Sequence, residues 1–358
     1  MRTRTRTRTR PSTRPRSSTR TRPRSTPVLT AIGLLATAAV VGLSGCAASS
    51  SATEPTTSPN GAAHFPVTIE NCGTPVTITA APRRIVLVNN DELPNLEALH
   101  AVDRIVGITA PLAPDLYAKQ TYRDLARLHV LSTKQTSTGG SVVSQESLLG
   151  AKPDLVIAPA NAVDRDALQA AGIPLYTPSA YCTDPGPELS RTATFGRVWS
   201  ELRTLGTVLG QQALAEDAVQ AGRSTLAEQS ASTDRGTAAA LYVSSGGGVL
   251  SPYGGPSMVT PVFHAIGLHN VYADAKQRVF DANVEDIISR DPSTIVLLYS
   301  SGTAQDTIDS FRTAPGVSGL SAVRHHRVVA LRFPFTDPPS TLSVAGPAEL
   351  ARQLDALG

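Results

Sequence analysis

The 358-residue chain has few cysteines, methionines and aromatic residues: three Cys, two Met, one Trp and 4% aromatics in all. It contains no Gly-x-Ser-x-Gly elbow, no Gly-x-x-x-x-Gly-Lys phosphate loop and no His-Glu-x-x-His zinc motif. None of its seven histidines pair at i, i+4 spacing with an acid between them, and there is no His-rich loop. These absences argue against an enzyme and against a receptor for a bare metal ion.

The N-terminal segment has no acidic residue among the ten arginines that precede residue 26. An apolar run at 28–41 follows, and then Leu43-Ser44-Gly45-Cys46. This order is typical of a secretory signal that ends in a bacterial lipobox, and the run is shorter than the roughly 20 residues needed to span a bilayer. We therefore expect a signal peptide at 1–45, a lipid anchor on Cys46 and a flexible Ala/Ser/Thr/Pro-rich linker at 46–63.

Removal of the signal peptide changes the charge balance of the chain. The 32 basic residues fall to 22 without those ten arginines, against 29 acidic residues, so the mature chain is acidic. A secretory signal explains the arginines, and no nucleic-acid partner is expected.

Two further cysteines, Cys72 and Cys182, would lie in an oxidising compartment after export. We favour a disulfide between them, and two buried free thiols are the alternative. A loop of about 110 residues closed by this bond would stabilise the fold by about 4 to 5 kcal/mol in the chain-entropy model.

The same pattern occurs twice, at 145–157 and 284–296. In each copy Glu146 or Glu285 opens a short amphipathic helix with paired aliphatics two and three residues later. A proline follows seven residues after the Glu, and a β-branched apolar run comes next. A helix-turn-strand unit used twice predicts two similar lobes with a cleft between them.

Alternating strand and helix patterns on either side of a helical stretch predict the domain organisation. Short apolar runs, such as 84–88 and 128–131, are typical of buried parallel strands. The chain is therefore α/β, with an N-terminal lobe at 64–188, a helical connector at 189–236 interrupted around Gly206 and Gly210, and a C-terminal lobe at 237–358.

Five segments in the same order resemble the successive motifs of class III substrate-binding lipoproteins of ABC importers, which deliver ferric siderophores, haem and vitamin B12. They are Ala81–Val86, Val102–Gly107, Lys152–Ile157, Ala171–Pro174 and Val323–Val328. The resemblance implies two Rossmann-like lobes joined by a long helix, with the ligand in the cleft between the lobes. It also implies that Glu146 and Glu285, one per lobe, dock onto the two subunits of a permease dimer.

Candidate ligand residues follow from the rule that open α/β lobes bind at the carboxyl ends of their strands. A ferric chelate needs cationic side chains for its oxygens and aromatic rings for its flat or aliphatic parts. Lys134, Tyr253, Tyr299 and Arg332 meet this need near strand ends, and Asn90 and Phe335 are further candidates there.

The sequence thus predicts a monomeric, non-enzymatic solute-binding lipoprotein on the extracytoplasmic face of a bacterial membrane. It would capture a ferric siderophore and deliver it to an ABC permease, without a resident cofactor or metal. Vitamin B12 or haem is the alternative ligand. A bare-metal receptor and a non-transport structural lipoprotein are further alternatives.

Overall fold

A computed structural model describes residues 64–128, 130–136, 140–229, 233–243 and 250–357. The predicted signal peptide, the lipidation site Cys46 and the linker lie outside the described residues. Within the described ranges, no helix is both long enough and apolar enough to cross a bilayer.

The described chain begins with the predicted antiparallel hairpin. Its strands are β1 (Val67–Asn71) and β2 (Thr74–Ile78). Both turn residues, Cys72 and Gly73, have positive φ angles, which suit the twist of a two-residue hairpin turn. Cys72 is bonded to Cys182, so the predicted disulfide is present in the structure.

The first lobe is built on a four-stranded parallel sheet. Its strands are β3 (Ile85–Leu87), β4 (Ile105–Ile108), β5 (Leu155–Ile157) and β6 (Leu175–Tyr176). They are arranged in the order β4-β3-β5-β6. Its helices are α1 (Leu93–Ala98), α2 (Lys119–Leu125), α3 (Gln145–Gly150), α4 (Arg165–Ala170) and α5 (Gly186–Leu189).

Alternate residues of the central strand β3 pack into two different clusters. Ile85 and Leu87 lie with α1 and the hairpin, whereas Val86 lies with α3 and α4. Both faces of the sheet are therefore covered, which explains the uninterrupted apolar runs in the sequence. The strand predicted at 128–131 is wrong for its described residues, which make a single bridge, from Val130 to Ile108.

Two helices, α6 (Gly196–Leu209) and α7 (Gln212–Ala227), form the connector and pack against each other. The break between them lies at Gly210, whose φ of 70° ends α6 in the left-handed conformation. The interruption predicted around this glycine is thus present.

The second lobe contains a five-stranded sheet. Its strands are β7 (Gly236–Val243), β8 (Leu250–Pro252), β9 (Leu268–Asn270), β10 (Thr294–Tyr299) and β11 (Val328–Arg332). The order is β11-β10-β7-β8, with β9 beside the start of β7, and only β8 runs antiparallel to its neighbour. Its helices are α8 (Val259–Ala265), α9 (Val284–Arg290), α10 (Ala304–Thr313), α11 (Ser321–Arg324) and α12 (Thr341–Asp355).

The closing helix α12 packs on α8 and β11 of its own lobe and reaches back to the first lobe. The Thr341 backbone N–H donates to the Asn95 side chain at 3.1 Å, and the Thr341 hydroxyl donates to the Pro94 carbonyl at 3.2 Å. Both lobes belong to one compact unit, Ser58–Gly358. The predicted two-lobed α/β fold is confirmed.

Candidate ligand-binding site

The residues that follow β3 form part of the first lobe's side of the cleft. Asn89 has a φ of 62°, and its backbone N–H donates to the Thr109 hydroxyl at 3.0 Å. Its side-chain oxygen accepts from the Ser141 backbone at 2.8 Å. These bonds fix the turn that leads from β3 to Asp91.

Tyr181 follows β6 and is held from both sides along the chain. Before it, the Asn71 side chain exchanges two hydrogen bonds of 2.8 Å with the backbone of Thr177. Directly after it, Cys182 is bonded to Cys72. The hairpin therefore fixes the backbone that carries the Tyr181 ring.

In the second lobe, a pair of glycines after β8 brings Arg278 beside Tyr253. The Gly254 backbone N–H donates to the Arg278 carbonyl at 2.9 Å. A Cβ on Gly254 would stand 2.2 Å from the Gln277 carbonyl oxygen, and one on Gly255 would stand 2.4 Å from that of Ala273. Only glycine permits this close backbone approach.

Arg278 joins the two lobes at the centre of the cleft. Its guanidinium donates to the Asp337 carboxylate, which is only 1% exposed and also accepts from the Met258 backbone at 3.0 Å. The guanidinium carbon lies 5.2 Å from the ring centroid of Tyr181 in the first lobe and 5.9 Å from that of Tyr253 in the second. These distances suit cation–π contacts.

Burial shifts the pKa values of the side chains around Arg278. It raises the pKa of Tyr181 and of Tyr253 well above the ordinary value, so both phenols remain neutral hydrogen-bond donors at physiological pH. Burial also raises the pKa of Asp91, whereas the Tyr181 hydroxyl, the Asn89 amide and Arg278 oppose that rise. For Arg278, burial would lower the pKa, but Asp337 and the two phenols raise it.

A second arginine lies at the end of β11. The Arg332 guanidinium carbon stands 5.5 Å from the ring centroid of Tyr299. Burial raises the pKa of Tyr117, in the first lobe, and Arg332 opposes that rise across the cleft. Two cations, two carboxylates and four phenols thus converge from both lobes. We call them the cleft cluster: Asp91, Tyr117, Tyr181, Tyr253, Arg278, Tyr299, Arg332 and Asp337.

A family model described as "Periplasmic binding protein" matches residues 85–334, which include every member of the cleft cluster except Asp337. This chain belongs to that family. The binding protein is accordingly a solute-binding protein of an ABC importer, and the predictions of a transport receptor rather than an enzyme and of an extracytoplasmic location are confirmed.

Solved structures place this binding protein among transport receptors. It is 32% identical to the ABC-type Fe3+-hydroxamate transport system protein of Saccharomonospora viridis DSM 43017, covering 81% of this chain and 99% of that one, with a TM-score of 0.75. A haem-binding protein, HmuT, is 20% identical over 84% of this chain and 87% of its own, with a TM-score of 0.59. The vitamin B12-binding protein BtuF of Vibrio cholerae is 18% identical over 77% and 98%, with a TM-score of 0.51. No curated protein matches the chain.

The six predicted ligand residues of this binding protein are only partly brought together. Tyr253, Tyr299 and Arg332 are members of the cleft cluster. Phe335 is half-buried and packs against the core of the second lobe beside Phe333, whose ring centroid lies 6.1 Å from that of Tyr253.

The other two predicted residues lie in the first lobe. The Asn90 amide donates to the carbonyls of Ala110 and Pro111, both at 3.2 Å, and its buried side-chain oxygen has no partner among the described residues. Lys134 is exposed in the loop after β4, and nothing in the described part of the chain joins its side chain to the cleft cluster.

The six residues selected from the sequence do not include Tyr117, Tyr181, Arg278 or Asp337, nor Asp91, to which the strand-end rule also points. Tyr181 and Asp337 follow strand ends closely, so a more complete use of the strand-end rule would have found them. Arg278 lies well beyond the end of β9, and its position depends on the close backbone approach of Gly254 and Gly255, which no sequence pattern predicts.

Two cavities lie in the first lobe outside the cleft cluster. One, of about 310 Å³, lies between α3 and α4 and is lined by Leu148 and Leu168 among others. The other, of about 570 Å³, lies between α1, α2 and the start of α12, beside His100.

The two candidate docking residues occupy equivalent positions in α3 and α9. Each is exposed, in the first turn of its helix, two residues after an N-cap whose side chain accepts a backbone N–H. The caps are Ser144 for Glu146 and Asn283 for Glu285. The helix macrodipole alone favours an acid at this position, so the geometry permits docking without requiring it.

Glu92, next to Asp91, is a buried acid that the cleft cluster does not use. It is 1% exposed, and only one of its carboxylate oxygens has a partner among the described residues, the Asn95 amide at 2.8 Å. Burial, followed by the nearby Glu201 carboxylate, raises its pKa well above the ordinary value. Glu201 is itself buried in α6, where it accepts from the Tyr176 hydroxyl, and burial raises its pKa as well.

We expect Glu92→Gln to stabilise the protein at pH 8 by about 1 to 3 kcal/mol, and to have little effect near pH 4. A raised pKa means that the folded state retains a proton which the unfolded state has lost. Stability therefore falls as the pH rises above the ordinary value of 4.5, and the Gln variant loses less. Urea unfolding at several pH values measures this difference, with the exposed Glu70→Gln as control. Parallel curves for Glu92→Gln and wild type would contradict it.

Proposed function

We propose that this binding protein captures a ferric siderophore of the hydroxamate class in the cleft between its lobes. The observation that carries the proposal is the charge balance of the cleft cluster. Arg278 is paired with Asp337, and the charges of Arg332 and of Asp91 both act on Tyr117, in opposite directions.

This balance favours a ligand without a large net charge. Three hydroxamates neutralise a ferric ion, whereas three catecholates leave a strongly anionic complex that the paired cations would not offset. The phenols of Tyr117, Tyr181 and Tyr253 supply hydrogen-bond donors for hydroxamate oxygens and flat faces for the aliphatic arms. The 32% identical relative, whose name specifies an Fe3+-hydroxamate transport system, supports the same class.

Haem and vitamin B12 have less support from the comparisons than a hydroxamate chelate has. The haem-binding and vitamin B12-binding relatives are 20% and 18% identical and support the fold alone.

Delivery completes the proposed function. The binding protein is tethered through a lipid on Cys46, acts as a monomer, and presents Glu146 and Glu285 to two equivalent permease subunits. One exposed carboxylate per lobe matches a partner with two-fold symmetry.

A ligand screen tests the proposal. At a hundredfold excess over Kd, a true ligand adds about 2.7 kcal/mol to the free energy of unfolding. We expect ferric hydroxamates to raise the melting temperature and to quench the fluorescence of Trp199, the only tryptophan, which is buried in α6. Ferric catecholates, haem and cobalamin should have no effect at the same concentrations. A response to one of those three and none to hydroxamates would overturn the ligand assignment.

A further inference from the structure

The described part of the chain exposes four large aliphatic side chains: Val142, Leu149, Ile288 and Leu357. Two of them occupy the same place in the duplicated helix-turn-strand unit. Leu149 is 36% exposed and Ile288 is 37% exposed, and each lies three residues after the exposed Glu of its copy.

The two copies match in local structure as well as in sequence. The aliphatic residue just before each exposed one, Leu148 or Ile287, is buried in its own lobe. Leu148 and Ile287 therefore anchor their helices in the core. Leu149 and Ile288 are not needed for that packing, so their exposure has another explanation. Residues three apart share one face of a helix, so Glu146 lies beside Leu149, and Glu285 beside Ile288.

The Glu285 carboxylate differs in its contacts from the next residue, Asp286. Asp286 accepts from the Tyr272 hydroxyl at 2.8 Å and lies 3.8 Å from Arg290, so it is tied to its own lobe. Among the described residues, neither the Glu146 nor the Glu285 side chain has a hydrogen bond or an ion pair. Each lobe thus presents one unpaired carboxylate with one exposed aliphatic side chain next to it.

We propose that Leu149 and Ile288 are contact residues for the permease, and that each completes a two-part contact with the neighbouring Glu. This inference rests on the proposed delivery through those glutamates and deepens it. The partner is a dimeric membrane protein, and each of its two equivalent subunits presents a cationic side chain beside an apolar surface.

An aliphatic contact beside the ion pair would strengthen binding to the permease. An ion pair between exposed side chains contributes little because water screens it. An aliphatic side chain packed next to the pair excludes water from one side, and it contributes its own buried area. Each lobe carries one Glu and one exposed aliphatic side chain. The two equivalent subunits of a two-fold partner can therefore bind the two lobes with the same surface.

The test compares Leu149→Ser/Ile288→Ser with Leu357→Ser, an aliphatic of similar exposure in the turn after α12 that has no neighbouring copy of the Glu motif. In cells of the source bacterium that lack the native copy, we expect the double variant to reduce uptake of iron-55 desferrioxamine by about tenfold or more. The purified double variant should keep the wild-type Kd for ferric desferrioxamine and the wild-type melting temperature. Leu357→Ser should equal wild type in all three measurements. Wild-type uptake in the double variant would overturn the inference.

A ligand-independent arm separates failure of this inference from failure of the ligand assignment. A photo-cross-linking amino acid is placed at position 149, 288 or 357 of the full-length protein in the same cells. Positions 149 and 288 should each cross-link to the same polytopic permease subunit, identified by its peptides, and position 357 should not. Cross-linking from one lobe only, or equally from 357, would overturn the inference whichever ligand the cleft binds.

Discussion

Cys72→Ser/Cys182→Ser is expected to lose about 4 to 5 kcal/mol of unfolding free energy, because the disulfide closes a loop with a sequence separation of 110. We also expect the affinity for ferric desferrioxamine to fall by about tenfold. Tyr181 precedes Cys182 directly, and its ring stands against Arg278 in the cleft. Without the bond, the nearest link of Tyr181 to the hairpin is the pair of hydrogen bonds between Asn71 and Thr177.

Urea unfolding and fluorescence titration of a soluble form that lacks residues 1–46 measure both effects. Reductant should shift the wild type toward the double variant and leave the double variant unchanged. If the double variant loses stability but keeps the wild-type Kd, the disulfide does not position Tyr181. If reductant has no effect on the wild type, the bond does not stabilise the fold.

Arg278→Gln is expected to abolish detectable binding of the ferric chelate and to destabilise the protein by about 3 to 5 kcal/mol. The loss of stability arises because Asp337 is 1% exposed and would lose its ion-pair partner. The loss of binding arises because Arg278 contacts aromatic rings from both lobes.

A second substitution separates the two effects. Arg278→Gln/Asp337→Asn removes both charges, and an Asn at 337 can still accept from the Met258 backbone. We expect the double variant to regain most of the lost stability and none of the lost affinity. Recovery of affinity together with stability would show that Arg278 only maintains the fold and has no direct role at the ligand. Chemical denaturation and titration of each variant give the complete double-mutant cycle.

The fold could be predicted from the sequence where local patterns and long-range packing agree. The apolar runs of β3 and β5 indicate strands because both faces of the first sheet are covered. The duplicated segment predicts two lobes because each copy buries one aliphatic and leads into a strand. The prediction of a strand at 128–131 failed because the described residues of this segment make one bridge, to β4 at the edge of the sheet.

The members of the cleft cluster that the sequence predicted lie at a strand end or directly after one. Tyr299 and Arg332 end β10 and β11, so the strand-end rule finds them. Arg278 is placed by the backbone contact of Gly254 with Gln277, which is visible only in three dimensions. Lys134, also selected as a cation near a strand end, lies in an exposed loop, and no contact among the described residues joins it to the cleft cluster, so its role stays a prediction.

The most direct test of the account is the position of the iron in crystals of the protein with ferric desferrioxamine, measured by an anomalous difference map at the iron absorption edge. The account predicts one strong peak between the lobes, enclosed by Tyr117 and Tyr181 on one side and by Tyr253, Arg278 and Arg332 on the other. A peak elsewhere, for example in the cavity beside His100 or in that between α3 and α4, would contradict it.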